Sequence, residues 1–112
     1  MIITTKEGRS MYDTVIIGAG PAGMTAALYA ARSNLKVALL EAGIPGGQMN
    51  NTADVENYPG YALISGPELA EKMFEPLESL GVEHLFGRVE KIEDKGDFKT
   101  VITEDEELDT KT

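Results

Sequence analysis

A glycine motif near the N-terminus limits what this chain can fold into more than any other feature. The motif has the spacing G-x-G-x-x-G and runs Gly18-Ala19-Gly20-Pro21-Ala22-Gly23. Before it, the apolar residues 14–17 predict a strand that is covered on both faces. After it, the alanine-rich residues 21–32 predict a helix that packs closely on a sheet, and the apolar residues 37–40 predict a second strand. Strand, helix and strand in this order predict a βαβ unit with parallel strands, and therefore an α/β fold.

Each glycine of the motif has a chemical reason in a turn that binds a dinucleotide. Gly18 permits the tight turn, Gly20 lets backbone amides approach a pyrophosphate, and Gly23 lets the helix pack close to the strand. The phosphates would then lie at the positive N-terminus of the helix. Glu41 ends the second strand, where an acidic residue accepts hydrogen bonds from the adenosine ribose. Nicotinamide and flavin dinucleotides share this fingerprint, so the motif alone does not distinguish them.

Residues 42–64 contain many glycines and prolines without periodicity, which predicts a long loop. A loop of this length is uncommon in a compact domain unless it is functional. Next, Ser65-Gly66-Pro67-Glu68 is a capping box, and the helix that it begins is predicted to bury one apolar face before Gly81 ends it. The residues of that face are Leu69, Met73, Leu77 and Leu80.

The last third of the chain has the pattern of short strands. Residues 82–86 predict a third strand, and residues 88–92 and 98–103 predict an antiparallel hairpin. The run Glu104-Asp105-Glu106-Glu107-Leu108-Asp109 is strongly charged, and we expect it to form a solvated turn. We expect residues 1–10, which are polar and lack periodicity, to form an N-terminal extension.

Composition excludes several classes of function. The 112 residues suffice for one domain, and 10 basic against 19 acidic residues give a net charge of −9, which argues against a nucleic-acid backbone or an anionic membrane as partner. Residues 14–31 carry no charge over the length of a membrane span, but glycine and proline in their middle make a continuous helix unfavourable. We therefore expect a cytoplasmic protein. Without cysteine, and with His84 as the single histidine, the chain is predicted to hold no metal and no redox dithiol.

Three further segments accompany the glycine motif at specific positions. They are Ala27-Leu28-Tyr29-Ala30-Ala31-Arg32, Gly46-Gly47-Gln48-Met49 and Val55-Glu56-Asn57-Tyr58-Pro59-Gly60. Together with the motif they resemble the N-terminal part of the low-molecular-weight thioredoxin reductases of bacteria, in the pyridine nucleotide-disulfide oxidoreductase family. Many flavoproteins share the first motif, whereas the last two segments at this spacing are far more specific. The resemblance covers residues 11–112.

The resemblance implies a Rossmann-like FAD-binding domain over residues 11–112, with a parallel βαβ core and an antiparallel hairpin, truncated at its C-terminus. By this resemblance, the first motif would hold the pyrophosphate of FAD and Glu41 its ribose. The second glycine segment would lie along the pyrophosphate and the ribityl chain. Asn57 would lie near the flavin, and the backbone of Val89 would contact the adenine. The residues expected to bind FAD are Gly18, Gly20, Pro21, Ala22, Gly23, Glu41, Gly46, Gly47, Gln48, Asn57 and Val89.

Members of this family pass a hydride from NADPH to FAD, and then electrons to a Cys-x-x-Cys pair and to the disulfide of thioredoxin. This chain contains neither cysteines nor a second nucleotide fingerprint. The resemblance therefore implies a first FAD segment of a longer homodimeric enzyme. Its NADPH domain, dithiol and second FAD segment would lie downstream. The 112 residues alone would include no catalytic residue and would be inactive.

Other functions remain open at this point. A thioredoxin-reductase-like ferredoxin–NADP reductase, or the flavoprotein subunit of a peroxide reductase, would share the FAD half, and the ferredoxin type has no active-site dithiol. A non-catalytic module that uses a βαβ unit to bind a nucleotide is an alternative from another class. The segment Glu56-Asn57-Tyr58-Pro59-Gly60 favours the thioredoxin type.

Overall fold

A computed structural model describes residues 10–112 of the chain. The predicted N-terminal extension therefore lies outside the described residues, except for Ser10. The strands are β1 (Met11–Tyr12), β2 (Thr14–Ile17), β3 (Val37–Glu41), β4 (Glu83–Phe86), β5 (Val89–Asp94), β6 (Lys99–Thr103) and β7 (Glu107–Thr110). The helices are α1 (Pro21–Arg32) and α2 (Gly66–Ser79), with a 3-10 helix at Gly47–Asn51.

The βαβ unit predicted from the sequence is confirmed. Strands β2, β3 and β4 form a parallel sheet in that order, with Ile17 opposite Leu40 and Glu41 opposite Phe86. Helix α1 connects β2 to β3, and α2 precedes β4. The carboxyl ends of all three strands therefore lie at the same edge of the sheet, which is where α/β proteins bind their ligands.

Strand β3 is buried on both faces, which explains its uninterrupted apolar sequence. Val37 and Leu39 pack with residues of α1 and α2, whereas Ala38 and Leu40 pack against a second sheet. All four are at most 2% exposed. The fold is thus a layer of helices, the parallel sheet and the second sheet, with β3 at the centre of both cores.

The second sheet has the order β1-β7-β6-β5. Its β5–β6 pair is the predicted antiparallel hairpin, and β7 pairs antiparallel with β6 and parallel with β1. Tyr12 joins the two sheets because its hydroxyl donates a hydrogen bond to the Glu83 carboxylate on β4. The Thr112 carbonyl also accepts a hydrogen bond from the Val15 amide of β2 at 3.0 Å.

Helix α2 begins and ends as the sequence predicts. The Ser65 hydroxyl accepts a hydrogen bond from the Glu68 amide at 3.2 Å, which is the first half of the capping box. At the other end Gly81 has a φ of +80°, and the Val82 amide donates to the Leu77 carbonyl at 3.1 Å. This is a Schellman motif, which satisfies the last carbonyls of the helix.

Three predictions about buried faces are corrected. Leu80 is 41% exposed because it lies at the C-cap, beyond the face on which Leu69 and Leu77 are buried. Of the alanines of α1, only Ala27 and Ala31 are buried, together with Met24, whereas Ala22 and Ala26 face solvent. The close contact of α1 with the sheet is therefore a narrow stripe.

The third correction concerns the charged run, of which residues 107–110 form a strand instead of a solvated turn. Leu108 fills part of the core between the sheets, and Asp109 is fully buried, where its carboxylate accepts a 2.7 Å hydrogen bond from the Thr100 hydroxyl. The pairing of β7 with β6 satisfies its backbone groups, and the hydrogen bond from Thr100 offsets part of the free-energy cost of burying the Asp109 carboxylate. Within the described residues, no helix is long and apolar enough to cross a membrane.

We predict that Thr100→Val destabilises the protein by about 1–3 kcal/mol, because the buried Asp109 carboxylate loses a donor while the shape of the side chain is kept. Thr25→Val is the matched control, since the Thr25 hydroxyl donates to the Pro21 carbonyl at 2.7 Å on the exposed side of α1. We expect the control to change the free energy of unfolding in urea by less than about 0.5 kcal/mol. Equal losses in the two variants would contradict the importance of the buried pair.

Candidate dinucleotide-binding site

The first glycine motif forms the connection between β2 and α1. Gly18 has a φ of +103°, which favours glycine, and its amide donates to the Leu40 carbonyl at 2.7 Å. A Cβ on Gly23 would lie 1.8 Å from the carbonyl oxygen of Gly18. The absence of a side chain at Gly23 therefore lets α1 approach the end of β2, as the sequence predicts.

The N-terminus of α1 opens onto free space. Gly20 is the N-cap residue and has no side chain to cap the first amides, and Pro21 occupies the first turn. A Cβ on Gly20 would meet no protein atom within 4 Å. The site thus combines uncapped amides, the positive end of the helix dipole and room for a ligand, which is the arrangement that binds phosphate groups.

Glu41 lies directly beside this turn. One of its carboxylate oxygens accepts a 2.8 Å hydrogen bond from the Ala19 amide, and the other accepts a 2.9 Å hydrogen bond from the Gly43 amide. The hydrogen bond from Ala19 is the main reason why the pKa of Glu41 lies below its ordinary value, and burial opposes it. The side chain is therefore an ionised acceptor held at the carboxyl edge of the sheet.

The second glycine segment meets the first. The Gly46 amide donates to the Ala19 carbonyl at 2.7 Å, and a Cβ on Gly47 would lie 3.5 Å from the Cα of Gly20. Both Gly46 and Gly47 have positive φ angles, of 116° and 59°. Two segments that are far apart in the sequence thus face each other without side chains, and they form a cradle made of backbone.

The sequence of this chain matches a known protein family. Residues 12–112 match the protein family described as "Pyridine nucleotide-disulphide oxidoreductase". The chain belongs to the pyridine nucleotide-disulphide oxidoreductase family. A relative in this family, the thioredoxin reductase of Bacillus subtilis (strain 168), is 55% identical over 91 residues, which are 81% of this chain and 29% of the relative.

Solved structures show the same relationship. The thioredoxin reductase of Streptococcus pyogenes MGAS5005 superimposes with a TM-score of 0.90 and 70% identity, covering 91% of this chain and 33% of that one. The Lactococcus lactis thioredoxin reductase gives a TM-score of 0.89 and 67% identity, covering 90% of this chain and 33% of that one. The chain therefore spans about a third of the length of these family members.

Three other residues were predicted to bind the cofactor, namely Gln48, Asn57 and Val89. Gln48 lies exposed in the 3-10 helix that begins at Gly47, and Asn57 is exposed in a segment closed by the backbone pair between Val55 and Ile64. Val89 begins β5, shortly after the carboxyl end of β4. The structure thus brings Gly18 to Gly23, Glu41, Gly46 and Gly47 together. Contacts of Gln48, Asn57 and Val89 with a cofactor stay predictions.

Two residues that hold the second glycine segment were missed from the sequence. The Asn50 side-chain amide donates to the carbonyl of Pro45 at 3.0 Å, and so closes the turn around Gly46. A Cβ on Gly66 would lie 1.7 Å from the Met49 carbonyl oxygen, so glycine is needed where α2 meets the 3-10 helix. The glycine directly after the N-cap Ser65 was a signal for this close approach.

We predict that Glu41→Gln destabilises the protein at neutral pH, because the two hydrogen bonds from Ala19 and Gly43 go to different carboxylate oxygens and a Gln side chain has only one oxygen to accept them. The folded-state pKa of Glu41 is lowered, so its stabilising effect is present above its ordinary pKa of 4.5 and is lost as the pH falls through the folded value. Urea unfolding at pH 7 and at decreasing pH should show the difference between wild type and variant shrinking below pH 4.5. Glu71→Gln, on the exposed side of α2, is the control. A difference in stability between wild type and Glu41→Gln that did not depend on pH would contradict the lowered pKa of Glu41.

Proposed function

We propose that residues 11–112 are the FAD-binding part of a thioredoxin reductase. The observation that supports this most strongly is the backbone cradle, in which Gly46 is hydrogen-bonded to Ala19 and Gly47 faces Gly20. An FAD pyrophosphate would lie between these segments at the N-terminus of α1, next to Pro21 and Ala22. The match of the chain to thioredoxin reductases over 81% of its length supports the same function.

The residues present fit the cofactor chemically. Gly18, Gly20 and Gly23 would let the amides of the turn approach the pyrophosphate, and Glu41 would accept hydrogen bonds from the adenosine ribose through its remaining lone pairs. Gly46, Gly47 and Gln48 would follow the pyrophosphate and ribityl chain. The exposed Asn57 amide would approach the flavin, and the Val89 backbone the adenine. None of these groups reacts, and their roles are to bind and orient.

In the whole protein, FAD would supply the redox chemistry by taking up a hydride from NADPH and passing two electrons to the disulfide of the cysteine pair, whose dithiol form would then reduce the disulfide of thioredoxin. The relatives reported above are named thioredoxin reductases, which favours this function over a ferredoxin-type reductase, a peroxide-reductase subunit or a non-catalytic module. The NADPH site and the Cys-x-x-Cys pair would lie in residues outside this chain, which contains no cysteine.

The proposal includes a cytoplasmic homodimer with thioredoxin as its protein substrate. An apolar cleft of about 300 Å³ between α1 and α2, lined by residues such as Leu28, Tyr29, Met73 and Pro76, supports association through the FAD-binding domain. Tyr29 is 63% exposed at its rim, and a second copy of the chain would cover it. The net charge of −9 is unfavourable for nucleic acid and for anionic membranes.

We expect the 112-residue chain by itself to reduce no thioredoxin disulfide with NADPH, even when supplied with FAD, because it contains no thiol that could relay electrons. The measurement is the oxidation of NADPH, followed by the loss of the absorbance of its reduced nicotinamide, in the presence of oxidised thioredoxin. The same chain followed by a dithiol-containing NADPH domain and the second FAD segment should be active. Turnover by the 112 residues alone would contradict the proposed division of roles.

We predict that Gly20→Val abolishes FAD binding but leaves the protein folded. The extended backbone of Gly20, with φ −77° and ψ −175°, accepts a β-branched residue, and its side chain would enter the space reserved for the pyrophosphate. The control is Ala26→Val, at an exposed position further along α1. Flavin fluorescence titration should show tight binding to wild type and control only, while the free energies of unfolding in urea agree within about 1 kcal/mol for all three. Unchanged binding by Gly20→Val would contradict the phosphate role.

A further inference from the structure

Phe86 is a large aromatic residue that the fold leaves without a partner at the edge of the site. It ends β4, and its side chain is 75% exposed. In the register of the parallel sheet it is opposite Glu41, the residue assigned to the ribose. The amide of the next residue, Gly87, donates to the Glu41 carbonyl at 3.1 Å, so the backbone fixes Phe86 beside Glu41.

The two side chains lie on the same side of the sheet. His84 contacts the Phe74 ring of α2 at a centroid distance of 5.0 Å, so its face of β4 is turned toward the helices. Side chains alternate along a strand, and Phe86, two residues further on, therefore points to the same face. On β3, Glu41 lies two residues after Leu39, which packs with the helices, so the two side chains point to the same face. The Glu41 carboxylate accordingly contacts the Ala19 amide, just before α1.

The juxtaposition places an exposed aromatic ring next to a carboxylate at the edge where the dinucleotide would bind. We propose that the Phe86 ring is the apolar surface on which the adenine of the cofactor packs, while Glu41 holds the ribose that bears this base. The inference rests on the proposed function, because it assigns the adenine end of the same cofactor. A purine face packs favourably on an aromatic side chain, and the adenine would cover the exposed Phe86 ring.

The chain passes close to the second sheet directly after Phe86, since a Cβ on Gly87 would lie at an ordinary contact distance of 3.5 Å from the Thr103 side chain of β6. Val89 then begins β5 within three residues of the ring. The Phe86 side chain and the backbone of Val89 would thus provide the face and the edge of one adenine subsite.

The first test is the affinity for FAD, measured by fluorescence titration of the purified protein. Phe86→Ala should weaken FAD binding by about tenfold or more, whereas Phe86→Tyr should retain it. The control is Leu35→Ala, which is 45% exposed before β3, at the opposite edge of the sheet. Wild-type affinity in Phe86→Ala would overturn the adenine role of this residue and leave the cradle unaffected.

The second test uses the absence of tryptophan from the chain, which makes an introduced indole a single reporter. ADP is the probe, because it contains the adenine and pyrophosphate but does not absorb the indole emission. In Phe86→Trp, ADP should change the emission at the concentrations that displace FAD, and in Leu35→Trp it should not. Unchanged emission from Phe86→Trp while ADP displaces FAD would overturn the inference. A wild-type protein that binds neither FAD nor ADP would instead contradict the proposed function.

Discussion

The backbone of Ala19 holds the site together. Its amide donates to the Glu41 carboxylate at the end of β3, and its carbonyl accepts from the Gly46 amide of the second glycine segment. Ala19 is completely buried, and its hydrogen bond to Glu41 is partly buried. The Ala19 backbone thus connects the first glycine turn, Glu41 and the second glycine segment. The position of Ala19 itself depends on the close contact between Gly23 and the Gly18 carbonyl, which brings α1 onto the end of β2.

This arrangement needs a rigid support, which β3 provides. The strand is buried between two cores, so Glu41 at its end is held by packing on both faces of the sheet. The second sheet contributes from the other side, since β7 fills the inter-sheet core through Leu108 and satisfies the buried Asp109 with Thr100. A site that recognises a ligand mainly through backbone amides depends on such support, because backbone groups are positioned by the fold and not by side-chain rotation.

Local patterns were sufficient to predict α1, α2 and the strands β2 to β6, because each has its own periodicity, cap or turn residue. They failed where distant segments determine the structure. The charged sequence of β7 gives no sign of a strand, and its pairing with β6 and the Thr100 hydroxyl make it one. The role of Gly66 likewise follows from its close approach to the Met49 carbonyl, and that of Asn50 from its hydrogen bond to Pro45 across the turn. The first glycine motif predicted the turn between β2 and α1, whereas the hydrogen bond between Gly46 and Ala19 is visible only in the folded chain.

The central claim is that this backbone cradle holds FAD. The most direct measurement is the visible absorption spectrum of the purified protein, followed by heat release of the chromophore and determination of its mass. The structure predicts flavin bands in the folded protein and a released molecule with the mass of FAD, present in equal amount to the chain after saturation and gel filtration. A folded protein that retains no flavin after incubation with FAD, or that retains only a nicotinamide dinucleotide, would contradict the account.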